Sequence, residues 1–332
     1  RACLNKPAAG VCRRPRLADN ARAPPTSGRG NGNSMDTIRK LPASDGAEWL
    51  LGGFALLRRA PLALGALGAL WGLLASLVMT VGLAVPALAT ILQLLVALAG
   101  PVLFAVLLWA VREVAHGRPA MPAHLLQGVR EGRVAQLLTT LLPQLAAGLV
   151  LGVLLLGLVG SEQLQALARV SNELNAMAQS GQQPSPEQVE ALVATLPAGR
   201  ILLWLLLGVV AAIAVAMTVF VSVPRILFEH RDGLPSMRDS LRACLNNLPA
   251  VVLFFAIALV SLFATYFIVF IIAALVQLLL GVAVAMLVGQ LLMMAVMMPM
   301  LAGATYTAWM QMFGQPAGEA GVAKAVPGQL EA

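Results

Sequence analysis

The chain has 332 residues, of which 59% are hydrophobic and 11% charged, with a formal net charge of +7. A typical soluble domain is roughly 25% charged. A mean hydropathy of +0.84 therefore excludes a cytosolic enzyme, a disordered chain and a secreted disulfide scaffold, and leaves a polytopic membrane protein.

Residues 1–34 hold seven basic side chains (Arg1, Lys6, Arg13, Arg14, Arg16, Arg22, Arg29) and Asp19, a balance of +6. Residues 35–332 hold 15 basic and 14 acidic side chains, a balance of +1. The positive charge thus belongs to the tail and gives no reason to expect a nucleic-acid partner. This tail has no apolar period and is rich in Arg, Pro, Gly and Asn. It reads as a disordered basic segment upstream of a natural start at Met35, with a genuine basic arm as the alternative. It lacks the apolar core of a cleaved targeting signal. Cys3 and Cys12 lie in it, so Cys244 stands alone, and neither an intrachain disulfide nor a zinc site is expected.

An apolar helix needs about 20 residues to cross a hydrocarbon core of roughly 30 Å. Residues 62–111 contain no ionisable side chain. They suit two spans, near 62–83 and 87–111, broken at residues 84–86, with Pro101 a predicted kink. Residues 134–160 and 201–223 give two more. Residues 243–315 are again free of charge and suit long helices near 250–273 and 282–311, with a turn between Ala273 and Gly281. The fold class is an all-α transmembrane bundle of six spans, with seven as the alternative. Residues 315–332 read as a disordered C-terminal tail.

Basic residues fall on every second connection. Arg39, Lys40, Arg58 and Arg59 precede the first span. Arg112, Arg118, Arg130 and Arg133 follow the second, and Arg225, Arg231, Arg238 and Arg242 follow the fourth. Residues 161–200 hold only Arg169 and Arg200 against Glu162, Glu173, Glu187 and Glu190. The positive-inside rule then places both termini in the cytoplasm and this loop outside; Lys324 agrees. Within the loop, Leu164, Leu167, Leu174 and Met177 share a helical face. Ser185-Pro186-Glu187-Gln188 reads as a capping box before a second stripe, Val189, Leu192, Val193 and Leu196.

Three Arg-bearing amphipathic stretches run straight into spans: residues 48–61, 124–133 and 236–249. Each reads as a helix in the membrane interface, giving three repeat-like units of one interfacial and two spanning helices. Trp49 is an interfacial anchor by type, while Arg58, Arg59, Arg238 and Arg242 would face headgroups. In the third stretch Ser236 and Asp239 form a capping signature. Met237, Leu241, Cys244, Leu245 and Leu248 would point to lipid.

The stretch Trp49-Leu50-Leu51-Gly52-Gly53-Phe54 with Arg58-Arg59-Ala60-Pro61 resembles the opening signature of a group of uncharacterised proteobacterial inner-membrane proteins. Pro224-Arg225 through Ser240, Arg242 and Asn247-Leu248-Pro249 looks like a later signature of the same group. Both are also similar to the six-helix membrane domains related to the membrane part of glycerophosphodiester phosphodiesterases. The resemblance spans about residues 37–314, with its specific matches in those two stretches. It implies a six-helix inner-membrane protein. Those enzymes carry their catalytic residues in a separate soluble domain, and no such domain is present in this sequence, so the activity does not carry over.

Ionisable residues inside spans are costly and mark function, and the proposed spans hold none. This argues against a proton relay, an ion-coupled carrier and carboxylate or histidine catalysis. His116, His124 and His230 are isolated loop residues. The cluster Met293, Met294, Met297, Met298 and Met300 could bind copper(I) through thioethers. It has no Cys or His beside it and reads as apolar filler, so no cofactor or metal is assigned. Gly68…Gly72 and Gly148…Gly152 are spacings that let helices approach.

The leading expectation is a non-enzymatic protein whose interfacial helices engage anionic lipid and offer a surface to a membrane partner or a second copy. The alternative is a channel or transporter for a neutral or lipidic solute, with Gln93, Gln144, Gln277 and Gln290 along its path.

Overall fold

The computed structural model describes residues 38–119, 132–179 and 197–314. Their regular structure is helical throughout. The sequence assignments at residues 1–34, 124–130, 181–196 and 315–332 lie outside the described residues.

A short helix, α1 (Asp45–Arg59), leads into α2 (Pro61–Ala84) and α3 (Pro86–Ala115). Both breaks fall where the sequence puts them, at the residue before a proline. Ala60 (φ −140°, ψ 62°) and Val85 (φ −134°, ψ 83°) leave the helical region. The following ring excludes that region for them, while proline itself suits the first helical position. Pro101 does not interrupt α3.

After α4 (Val134–Leu138) a turn of 3₁₀ helix, Thr139–Leu141, joins α5 (Leu142–Val159), which is followed by α6 (Ser161–Gln179). Then come α7 (Ala198–Val219), α8 (Ser222–Phe228) and α9 (Gly233–Asn246). Helices α10 (Leu248–Leu280) and α11 (Val282–Phe313) follow. These last two meet at Gly281, whose φ of 86° is left-handed and open to glycine at no steric cost.

Six helical stretches are long and apolar enough to cross a membrane: Pro61–Gly82, Ala87–Ala115, Val134–Val159, Ala198–Phe228, Leu248–Leu280 and Val282–Phe313. The protein is an integral, multi-pass membrane protein. The final charge-free stretch forms two of these spans, which makes six among the described residues.

The last helix is the hub, with α1, α2, α3 and α10 all packed on α11. The first two helices meet it in reverse order. Trp49 reaches Gln311, Gly52 lies on Thr307 and Gly53 on Met300 and Gly303. Further along, Gly65 faces Ala295, Gly68 faces Met294, and Gly72 lies beside Gln290 and Met294. So Gly68…Gly72 serves packing between this chain's own helices. Gly148 and Gly152 have nothing within 4 Å of a virtual Cβ. They sit in α5, which packs on α7, where Trp204 donates Nε1–H to the Leu151 carbonyl at 2.8 Å.

One end of the bundle gathers α1, α8, α9 and the ends of α3 and α11; it holds Arg225, Arg231, Arg238 and Arg242 and is the basic end below. Its core contains a ring cluster of Trp49, Phe220 and Phe254, with centroids 5.0 to 5.9 Å apart. Beside it stand Phe228, Tyr306 and Trp309. Aromatic pairs at such distances add to the burial of their area.

Two local expectations are corrected. Helix α9 starts at Gly233, not at Ser236, and the Ser236 hydroxyl donates to the Asp232 carbonyl at 2.7 Å inside the first turn. Met237 and Cys244 point into the protein, not to lipid. The buried stripe of α9 is Ser236, Met237, Ser240, Ala243 and Cys244. Its serines find carbonyl partners, so the polar face packs inward and Leu245 and Leu248 stay outside.

Candidate functional site

Arg225 lies at the centre of the basic end, its side chain 1% exposed. Helix α8 aims it between two carboxylates: Nε is 3.1 Å from Glu229 Oε2 and Nη1 is 3.4 Å from Asp239 Oδ2. The guanidinium also sits 4.0 Å from the ring centroid of Phe313. Half-exposed Arg231 closes the group, 3.3 Å from Asp239 and 3.6 Å from Glu229. The second oxygen of Glu229 accepts Trp309 Nε1–H at 2.7 Å. The four charges cancel, and every one has a counter-ion, which a buried arginine requires. This group is structural, and it locks α8, α9 and α11 together.

The ends of α7 and α9 are tied by Ser240, whose hydroxyl donates to Met217 O at 2.8 Å and accepts from Val221 N–H at 3.1 Å. Cys244 lies beside it, 3.5 Å from Met217 O, and burial pushes its thiol up to about 12. Asn247 fixes the segment before α1. Its Oδ1 accepts Leu41 N–H at 2.8 Å and its amide donates to Arg39 O at 3.0 Å. At the start of α1, burial and then the neighbouring Glu48 hold the Asp45 carboxyl above its ordinary range.

The five interface residues divide. Trp49 is fully buried, wedged against Phe220 and Phe254, and donates to Gln311 Oε1 at 2.7 Å. It anchors the fold and does not meet headgroups. Arg58 and Arg59 are exposed at the end of α1, on a side that also shows Leu51 and Phe54. Arg238 and Arg242 are exposed on α9, flanked one helical turn away by exposed Leu234 and Leu245.

The four glutamines divide as well. Gln277 and Gln290 line one cavity of about 460 Å³ between α10 and α11. Gln93, on α3, and Gln144, on α5, are exposed and line no part of it. The structure therefore brings together two of the four residues proposed for a solute path. Sequence reading passed over Tyr266, which also lines this cavity. A period of 11 residues, three helical turns, separates it from Gln277 and could have signalled the shared face.

The methionines serve packing: Met297 and Met300 are buried, Met294 lies under Gly68 and Gly72, and Met293 lines the cavity. No group of three metal-ligating His, Cys, Asp or Glu occurs among the described residues. No protein-family model, curated protein or solved structure matches this chain.

Proposed function

We propose that this is a non-enzymatic, lipid-engaging protein of a bacterial inner membrane, with both termini in the cytoplasm. The alternation of basic connections supports that orientation. The carrying observation is the contrast within one region. Arg225 is consumed by Glu229 and Asp239, whereas Arg238 and Arg242 stay exposed between exposed leucines. Such a face rests its leucines at the acyl boundary and its guanidinium groups among the headgroups. Each basic residue near an anionic surface contributes about 1 kcal/mol. Arg58 and Arg59 with Leu51 and Phe54 offer a second such face.

Native mass spectra of the full chain released from native-membrane nanodiscs test the reading. A retained anionic lipid, lost when Arg58, Arg59, Arg238 and Arg242 are changed to Ala, is the expected result. Unchanged retention in that variant removes the reading. A stoichiometric protein partner or second copy held on these faces in place of lipid would recast the protein as an adaptor.

A further inference from the structure

The cavity between α10 and α11 combines an apolar wall with three polar side chains. Phe270, Met286 and Met293 line it together with Gln277, Gln290 and Tyr266. Neither glutamine side chain nor the Tyr266 hydroxyl has a hydrogen-bond partner among the described residues.

Depth makes this costly. Gln290 lies beside Gly72 of α2, whose virtual Cβ is 3.2 Å from the Gln290 carbonyl oxygen. Gly72 stands about 17 Å along the helix from Pro61 and about 18 Å from Ala84, so Gln290 is at mid-span. Water does not reach that level, and an amide left unpaired in an apolar medium is destabilising. Gln277 and Tyr266 are about 16 Å apart along α10, which sets the length of the cleft.

We infer that this cleft binds an uncharged lipid, an aliphatic chain carrying carbonyl or hydroxyl oxygens that pair with Gln290 and Gln277. No ionisable group other than the Tyr266 phenol lines the cleft, so it has no counter-charge for an anionic headgroup. Its volume of about 460 Å³ falls in the ~300–1,000 Å³ range of small-molecule sites. This site is separate from the arginine faces and stands or falls without them.

The test uses the full chain in phosphatidylethanolamine–phosphatidylglycerol nanodiscs holding either of two photoreactive diazirine probes at low mole fraction. One probe is a diacylglycerol, with carbonyls and a hydroxyl; the other is a prenyl quinone, with carbonyls only. Adducts within residues 266–293 should exceed those on the exposed α5 stretch 145–153 at least fivefold with one probe or both. The better probe identifies the oxygen pattern recognised. Its unlabelled form should compete, and phosphatidylglycerol should not.

The double variant Gln277→Leu/Gln290→Leu should fall to the α5 level, with Cys244 still shielded from maleimide as the sign of an intact fold. Ala274→Phe, which fills the cleft and leaves both amides, should do the same. The four-arginine variant should label like the parent. Labelling no greater than on α5 with both probes, undiminished labelling in the glutamine variant, or competition by phosphatidylglycerol would each overturn the proposal. So would ready disulfide formation between two copies carrying Ala274→Cys.

Discussion

Gly53 of α1 and Gly303 of α11 lie backbone to backbone: a Cβ built on Gly303 would stand 2.6 Å from the Cα of Gly53. On the other side, a Cβ on Gly53 would collide with the Met300 carbonyl oxygen. Neither contact can relax by moving a flexible side chain, because both partners are main chain. Gly303→Val should therefore destabilise by about 1–3 kcal/mol or more. Thermal unfolding in detergent, followed by size-exclusion fluorescence, should show a lower midpoint. Gly148→Ala is the control: with nothing within 4 Å, it should leave the midpoint level or raise it slightly.

Arg225→Ala empties the space against Phe313 and leaves the Glu229 and Asp239 carboxylates to half-exposed Arg231. Breaking a fully buried pair costs about 3–5 kcal/mol, and the loss here is smaller because both carboxylates are partly exposed and keep Arg231. The yield of monodisperse protein should fall. Arg225→Lys should recover only part of it, since an ammonium cannot span two carboxylates as the planar fork does. Arg238→Ala, on the exposed side of α9, should match the parent in the same assay.

Asn247→Leu removes the side chain that holds Arg39 O and Leu41 N–H. The lost bonds cost about 1–3 kcal/mol where buried groups are left unpaired. Cleavage by trypsin after Arg39 or Lys40 should become several-fold faster, as read by N-terminal sequencing of the large fragment. Unchanged cleavage would mean that other contacts, such as Arg39 N–H to Met312 O at 3.0 Å, hold the segment unaided.

Cys244 is buried, and its thiol is raised from 9.0 to about 12. Maleimide at pH 8 should leave the Cys244 peptide unmodified in folded protein and label it in sodium dodecyl sulfate, as mapped by mass spectrometry. The sign of the alkaline response follows from the same shift. The unfolded chain ionises this thiol first, so stability falls as pH rises from 9 toward 12. Cys244→Ser or Cys244→Ala should flatten this part of the pH profile.

The helices were legible because their signals are local. A proline after Ala60 and another after Val85 mark two breaks, and a left-handed glycine at 281 marks a third. The exposed arginines were legible too, because charge against an apolar background needs no knowledge of partners. What could not be read was which polar face turns inward. The pattern of α9 looks amphipathic toward lipid, yet Ser236 and Ser240 spend their hydroxyls on carbonyls and carry Met237 and Cys244 inside with them. Trp49 failed as an anchor for a related reason. Its acceptor, Gln311, lies 262 residues away, a pairing that no local window contains. The stretch from Pro224 to Pro249 holds Arg225, Ser240 and Asn247, each buried and bonded.

The reverse-order pairing of α1 and α2 with α11 has a consequence for biosynthesis. Helices α1 and α2 are made well before α11 and wait for it. More than 200 residues separate Arg59 from Val282, and at a synthesis rate of about 5–20 residues per second the interval is roughly 10–45 s. Throughout it the glycine row of α2 and the indole of Trp49 lack the surface they are shaped for. Membrane insertase or lipid must cover them, and a chain interrupted before α11 would leave the bilayer with an open seam for quality-control proteases to recognise.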